Sequence, residues 1–127
     1  MNHETTKIKS FTDLDAWKKG HRLVLEIYGI TKNFPKEELF GLTNQIRRAV
    51  VSFTSNIAEG FSRGTYKEKA RFYLIALGSL TEVQNQLLIA RDLGFINKEE
   101  FDKIAETTIV ISKITNGLIK KTKLISD

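Results

Sequence analysis

From Leu39 to Leu124 the apolar residues recur every three or four positions, and the recurrence breaks only at two short joins. That interval gives an α-helix one apolar face; a half-buried strand needs an interval of two. At the first join Thr65 and Glu68 have capping-box spacing, in which each side chain answers a free backbone donor of the other. At the second, "DLGF" supplies a stop, with Gly94 as the left-handed residue and Phe95 as the apolar contact after it. "NKEEF" then offers a start, with Asn97 as N-cap and Glu100 three residues on.

These signals predict four helices. The first begins at Thr12 as N-cap, with Asp13 and Asp15 in the turn that favours negative charge. Its apolar face runs through Leu14, Trp17, Val24 and Tyr28, with Leu23, Ile27 and Ile30 beside it, and it ends near Asn33 because Phe34 precedes Pro35. The second spans Leu39 to Phe61 on Leu42, Ile46, Ala49, Val50, Phe53 and Ile57. The third carries Tyr73, Ala76, Leu77, Leu80, Val83 and Leu87. The fourth runs to Leu124. Its "TTIVISKIT" suits a strand by propensity, but Phe101, Ile104, Thr108, Ile111, Thr115 and Leu118 keep helical spacing after a clear start. Four amphipathic helices with short turns predict an all-α, antiparallel up-down-up-down four-helix bundle. Residues 1–10 read as a flexible tail and residues 11–127 as one domain.

Several chemistries lack their parts. With no cysteine there is no disulfide, thiolate metal site or cysteine nucleophile. No stretch approaches the about 18 apolar residues of a membrane span, and no apolar run of signal-peptide length opens the chain, so a cytoplasmic location is expected. Gly60–Gly64 spell G-x-S-x-G, but a nucleophile elbow needs a strand before the serine and a histidine after it; here a helix precedes, and His3 and His21 are both upstream. The two-metal site of helical bundles needs Glu-x-x-His, which does not occur. His21, between Trp17 and Val24, reads as a core or interface residue. No catalytic residue, metal or cofactor is expected.

Polar residues interrupt two of the apolar stripes: Asn56 and Glu59 in "SNIAEG", Ser79 and Glu82 in "GSLTE". A carboxylate near a core is costly unless paired, so Asn56, Glu59 and Glu82 are expected to meet one another or Arg47 in a structural polar network. "NIAEG" and "GSLTE", with "QIRRA" upstream, also carry a family resemblance. Over roughly residues 11–120 the chain resembles the bacterial four-helix bundle proteins, some of them encoded in intervening sequences inside large-subunit ribosomal RNA genes. The resemblance implies a homo-oligomer, with homopentameric rings among members, and no settled biochemical function. A related branch serves diversity-generating retroelements as basic pentameric barrels that bind nucleic acid and the reverse transcriptase.

Oligomerisation has a signal in the residues too. On helix one Leu23, Val24, Leu25, Ile27, Tyr28 and Ile30 cover an arc of ~220°, where a core stripe needs little over ~100°. Ile109, Val110 and Ile111 also point three ways. The surplus fits a subunit interface.

The formal net charge is +5, with a sequence pI of about 9.5. Antiparallel topology gathers Lys18, Lys19, Arg22, Arg63, Lys67, Lys69, Arg71, Lys120 and Lys121 at one pole, with Lys123 beyond them, while acids prevail at the other. One reading is a sequence-independent contact with RNA or DNA phosphates through the first nine of these. The alternative is a scaffold or accessory subunit docking an acidic partner protein.

Overall fold

The computed structural model describes residues 7–126. Four helices form the bundle: α1 Asp15–Thr31, α2 Leu42–Ser62, α3 Tyr66–Asp92 and α4 Lys98–Ser126. There is no strand among the described residues. Helices adjacent in the chain pack together, α1 closes the bundle against α4, and the backbones of the diagonal pairs α1–α3 and α2–α4 stay apart. This is the expected all-α antiparallel four-helix bundle.

The short-range signals act as read. Glu68 N donates to Thr65 Oγ1 at 3.2 Å, while the Glu68 carboxylate accepts from the Thr65 hydroxyl and not from its backbone N–H, so half of the expected box forms. Glu100 N donates to Asn97 Oδ1 at 2.7 Å. Gly94 is left-handed at φ 78°, and Phe95 N reaches back to Ala90 O at 2.9 Å. The β-branched segment stays helical. Thr108, Thr115 and Thr122 return their hydroxyls to Ala105, Ile111 and Leu118 carbonyls at 2.7–2.8 Å, and Ile104, Thr108, Ile111 and Thr115 are buried. Burial of that face outweighs a weak helix preference.

The start of α1 differs from expectation. Thr12 is not its cap. Ser10 caps a separate 3-10 turn, Phe11–Asp13, in a capping box with Asp13. Leu14 is then extended and precedes α1 without a side-chain cap bond. Residues 1–6 of the expected tail lie outside the described residues. Helix α1 ends at Thr31, and α2 starts at Leu42, after a 3-10 turn at Lys36–Glu38. The Glu38 carboxylate, one turn back, accepts from Leu42 N at 3.1 Å. Arg63, extended at φ −77° and ψ 156°, breaks α2 after Ser62.

The inward face of α1 is also turned from the one expected. It is Ala16, Gly20, Leu23, Ile27 and Thr31 that are buried, while Tyr28 is 39% exposed. Gly20 decides this, because a Cβ there would sit 2.5 Å from Phe53 Cε2. The missing side chain lets α1 settle against the Phe53 ring. Gly60 plays the same part between α2 and α3, where a Cβ would lie 2.6 Å from Tyr73 Cε1.

Tyr73 is 1% exposed, and burial pushes its phenol up from 10.0 to about 12. A raised phenol value stabilises the fold below the unfolded value and ceases to do so as pH rises through the folded one. The melting temperature is therefore expected to fall between about pH 10 and about pH 12. Tyr73→Phe should flatten that fall; identical profiles for the two proteins would contradict the assignment.

Candidate nucleic-acid interface

The start of α1, the α2–α3 join and the end of α4 share one pole, but its bases are not equivalent. Lys18 and Arg22 on α1, Lys67 and Arg71 on α3, and Lys120, Lys121 and Lys123 on α4 are exposed. Lys19 is half-buried and lines a groove between α1 and α4 with Glu26 and Glu106.

Arg63 and Lys69 are taken up by the fold. Arg63 Nη2 pairs with Glu59 Oε2 at 2.8 Å, and the guanidinium lies over the Phe72 ring, 4.6 Å from its centroid. Lys69 Nζ donates to the Phe61 carbonyl at 2.6 Å, satisfying a free acceptor at the end of α2. Burial lowers the Lys69 pKa from its ordinary value. These two side chains hold the α2–α3 join, each tied to a partner there.

Helices α1 and α3 lie on a diagonal, so Lys18 and the Lys67–Arg71 pair face opposite sides of the bundle. A single ligand reaches both only across the end of the pole. The far pole is electrically different. There Arg91 pairs with Asp92 at 2.8 Å, and Lys98 with Asp102 at 2.7 Å.

The four residues expected to form one polar network are not brought together. Arg47 Nε donates to Thr31 Oγ1 at 2.8 Å, and its guanidinium lies 4.7 Å over the Tyr28 ring. Asn56 donates to the Ser52 carbonyl at 2.8 Å, and Ser52 meets Ser79 across the α2–α3 seam at 2.9 Å. Glu59 turns to Arg63, and Glu82 is exposed. The reason is angular: along α2, Arg47 falls on the α1 side and Asn56 on the α3 side. The pairing of Glu59 with Arg63 was legible from their i, i+4 spacing.

Ser62 closes α2, and its hydroxyl donates to the Glu59 carbonyl at 2.6 Å. His21 is not in the core: it is exposed and stacks on Trp17. No helix among the described residues is long and apolar enough to cross a membrane.

Apolar surface remains uncovered where the surplus on α1 and α4 was expected: Leu25, Tyr28, Ile109 and Val110 are 39–59% exposed. A further face was missed. Helix α3 buries Tyr73, Leu80, Val83 and Leu87, yet Leu74, Ile75, Leu88, Ile89 and Leu93 are 41–58% exposed. Its apolar residues are spread around two faces, a signal the search for a single stripe passed over.

Among curated proteins, none matches this chain. A solved structure does: a protein with unknown function from the S23 ribosomal protein family of Bacteroides thetaiotaomicron VPI-5482. It superimposes with a TM-score of 0.76 at 23% identity, over 83% of this chain and 95% of that one. At that identity the likeness speaks for the fold. The 23S rRNA-intervening sequence protein family matches residues 12–117, which takes in all of α1, α2 and α3 and most of α4. The chain therefore belongs to the 23S rRNA-intervening sequence protein family.

Proposed function

We propose that this protein is a non-enzymatic homo-oligomeric bundle that binds RNA or DNA through its basic pole, largely without regard to sequence. The observation that carries the reading is the contrast between poles. Lys18, Arg22, Lys67, Arg71, Lys120 and Lys121 are exposed and make no ion pair among the described residues, whereas at the far pole Arg91 and Lys98 are paired with acids and the exposed Lys32, Lys36 and Lys103 share their end with Glu37, Glu38, Glu99 and Glu100. Unpaired cations gathered at one end favour a phosphate backbone and offer no base-reading geometry. The test is binding of generic RNA and DNA at low salt. Salt-sensitive binding supports the reading, and no binding by the intact protein ends it.

Self-association is supported by the apolar surface left on α1, α3 and α4. The resemblance includes rings of five, and such a ring would gather the basic poles of its copies. Ile75→Glu with Ile89→Glu is expected to lower the mass seen by light scattering to that of one chain, with the helical circular dichroism kept. A parent protein that is already a monomer at micromolar concentration would refute this part.

The alternative, a docking surface for an acidic partner protein, is favoured by one feature. Lys67 and Arg71 stand among Tyr66, Leu74 and Ile75 on the outer side of α3, a basic and apolar mixture that an acidic amphipathic helix would match.

A further inference from the structure

Trp17 is the chain's one tryptophan. Its indole lies flat against the His21 imidazole, with centroids 4.7 Å apart and planes at 14°. Phe11 meets the indole edge-on at 5.5 Å and 71°. Phe11 and Trp17 are half-buried, which fixes the indole in place, while His21, Lys18 and Arg22 are exposed. Lys18 is three residues from His21 and four from Arg22, so Lys18 adjoins the imidazole on the helix surface and Arg22 adjoins Lys18. One cation therefore stands beside the imidazole and a second just beyond the first. Neither those cations nor the two stacked rings make a side-chain hydrogen bond or ion pair to another described residue.

The other ring–cation pairs of this pole are closed. Arg63 over Phe72 is tied to Glu59, and Lys69 over Phe61 is tied to the Phe61 carbonyl. The Trp17–His21 stack is the open one. An aromatic step with cations on its flank suits a nucleotide whose base face is free. A duplex keeps its base faces stacked inside, whereas a single strand offers them, and aromatic stacking is the usual means of holding it.

We infer that the Trp17–His21 stack, with Lys18 and Arg22 beside it, seats an unpaired base, so that the preferred ligand is single-stranded RNA or DNA and not a duplex. This rests on the nucleic-acid reading above and adds the strandedness of the ligand. The cations hold the flanking phosphates and set the salt dependence. The ring stack supplies the discrimination.

Trp17 reports on its own site. Oligouridylate, oligothymidylate and a mixed duplex of equal length are titrated at low salt, following tryptophan fluorescence and the anisotropy of a label on the nucleic acid. Single strands are expected to quench Trp17 and to bind about tenfold more tightly than the duplex. The Trp17→Leu/His21→Ala double variant should lose that preference and keep salt-dependent binding to both. Lys18→Ala with Arg22→Ala should weaken both ligands alike. Equal binding of single strands and duplex without quenching overturns the stacking role and leaves the basic pole standing; no binding of either overturns both. If the double variant does not fold, quenching and strand preference in the parent protein decide.

Discussion

Phe53→Ala is expected to destabilise the bundle by about 3–5 kcal/mol, the range for removing a fully buried aromatic ring from a core. Phe53 is 0% exposed, and its ring edge occupies the place a Gly20 side chain would take. The same contact can be probed from the other side. Gly20→Ala forces a Cβ to within 2.5 Å of Phe53 Cε2 and 3.1 Å of Thr54 Cγ2. Neither neighbour is the free end of a flexible side chain, so overpacking of about 1–3 kcal/mol is expected. It should exceed the about 1 kcal/mol that alanine ordinarily gains over glycine within a helix. The two effects are coupled: in a Phe53→Leu background the clash is relieved, and Gly20→Ala should cost less there. A urea-denaturation double-mutant cycle measures the coupling, and strict additivity would show that Gly20 and Phe53 do not hold α1 and α2 together. Gly78→Ala is the internal control. That glycine lies on α3 with nothing within 4 Å of a built Cβ, so no clash offsets the helix gain.

Replacing Lys18, Lys67, Arg71 and Lys120 together by glutamate is expected to lower nucleic-acid affinity by about three orders of magnitude at 0.1 M salt. Each phosphate contact contributes about 0.9 to the slope of log K against log salt for duplex DNA, and about 0.7 for a single strand, so four lost contacts account for most of a 10³-fold change. The slope itself should fall by about 3 to 4, which separates lost ion contacts from general damage. All four side chains are exposed, so thermal stability should scarcely change. Arg63 and Lys69 provide the contrast. Both lie at the same pole, yet they are bound to Glu59 and to the Phe61 carbonyl. Arg63→Ala and Lys69→Ala should lower the melting temperature and leave the salt slope nearly intact. A quadruple variant with unchanged slope, or an Arg63 variant with a reduced one, would mean that the wrong cations have been assigned to the surface.

That contrast also marks where reading the sequence stops. Arg63, Lys67, Lys69 and Arg71 follow one another within nine residues and look alike as charges. Only with α2 and α3 packed does Lys69 reach the last turn of α2 while Lys67 faces solvent. Arg47, Asn56, Glu59 and Glu82 failed to converge for a related reason: proximity to an apolar stripe does not say on which flank of it a residue falls. Arg47 took Thr31 on α1, and Glu59 took Arg63, the residue that ends its own helix.

What the sequence alone determined is local. The helix starts, the caps at Thr65 and Asn97 and the Gly94 stop depend on groups within about five residues, which no distant contact needs to supply. The antiparallel order followed from short joins between long helices. The tertiary structure decided the rest: which face of α1 turns inward, which bases stay free, and that α3 keeps a second apolar face in solvent. Those outcomes depend on the angle at which one helix meets another. In this bundle the close approach of neighbouring helices rests on two absent side chains, at Gly20 and Gly60, against two buried rings, Phe53 and Tyr73.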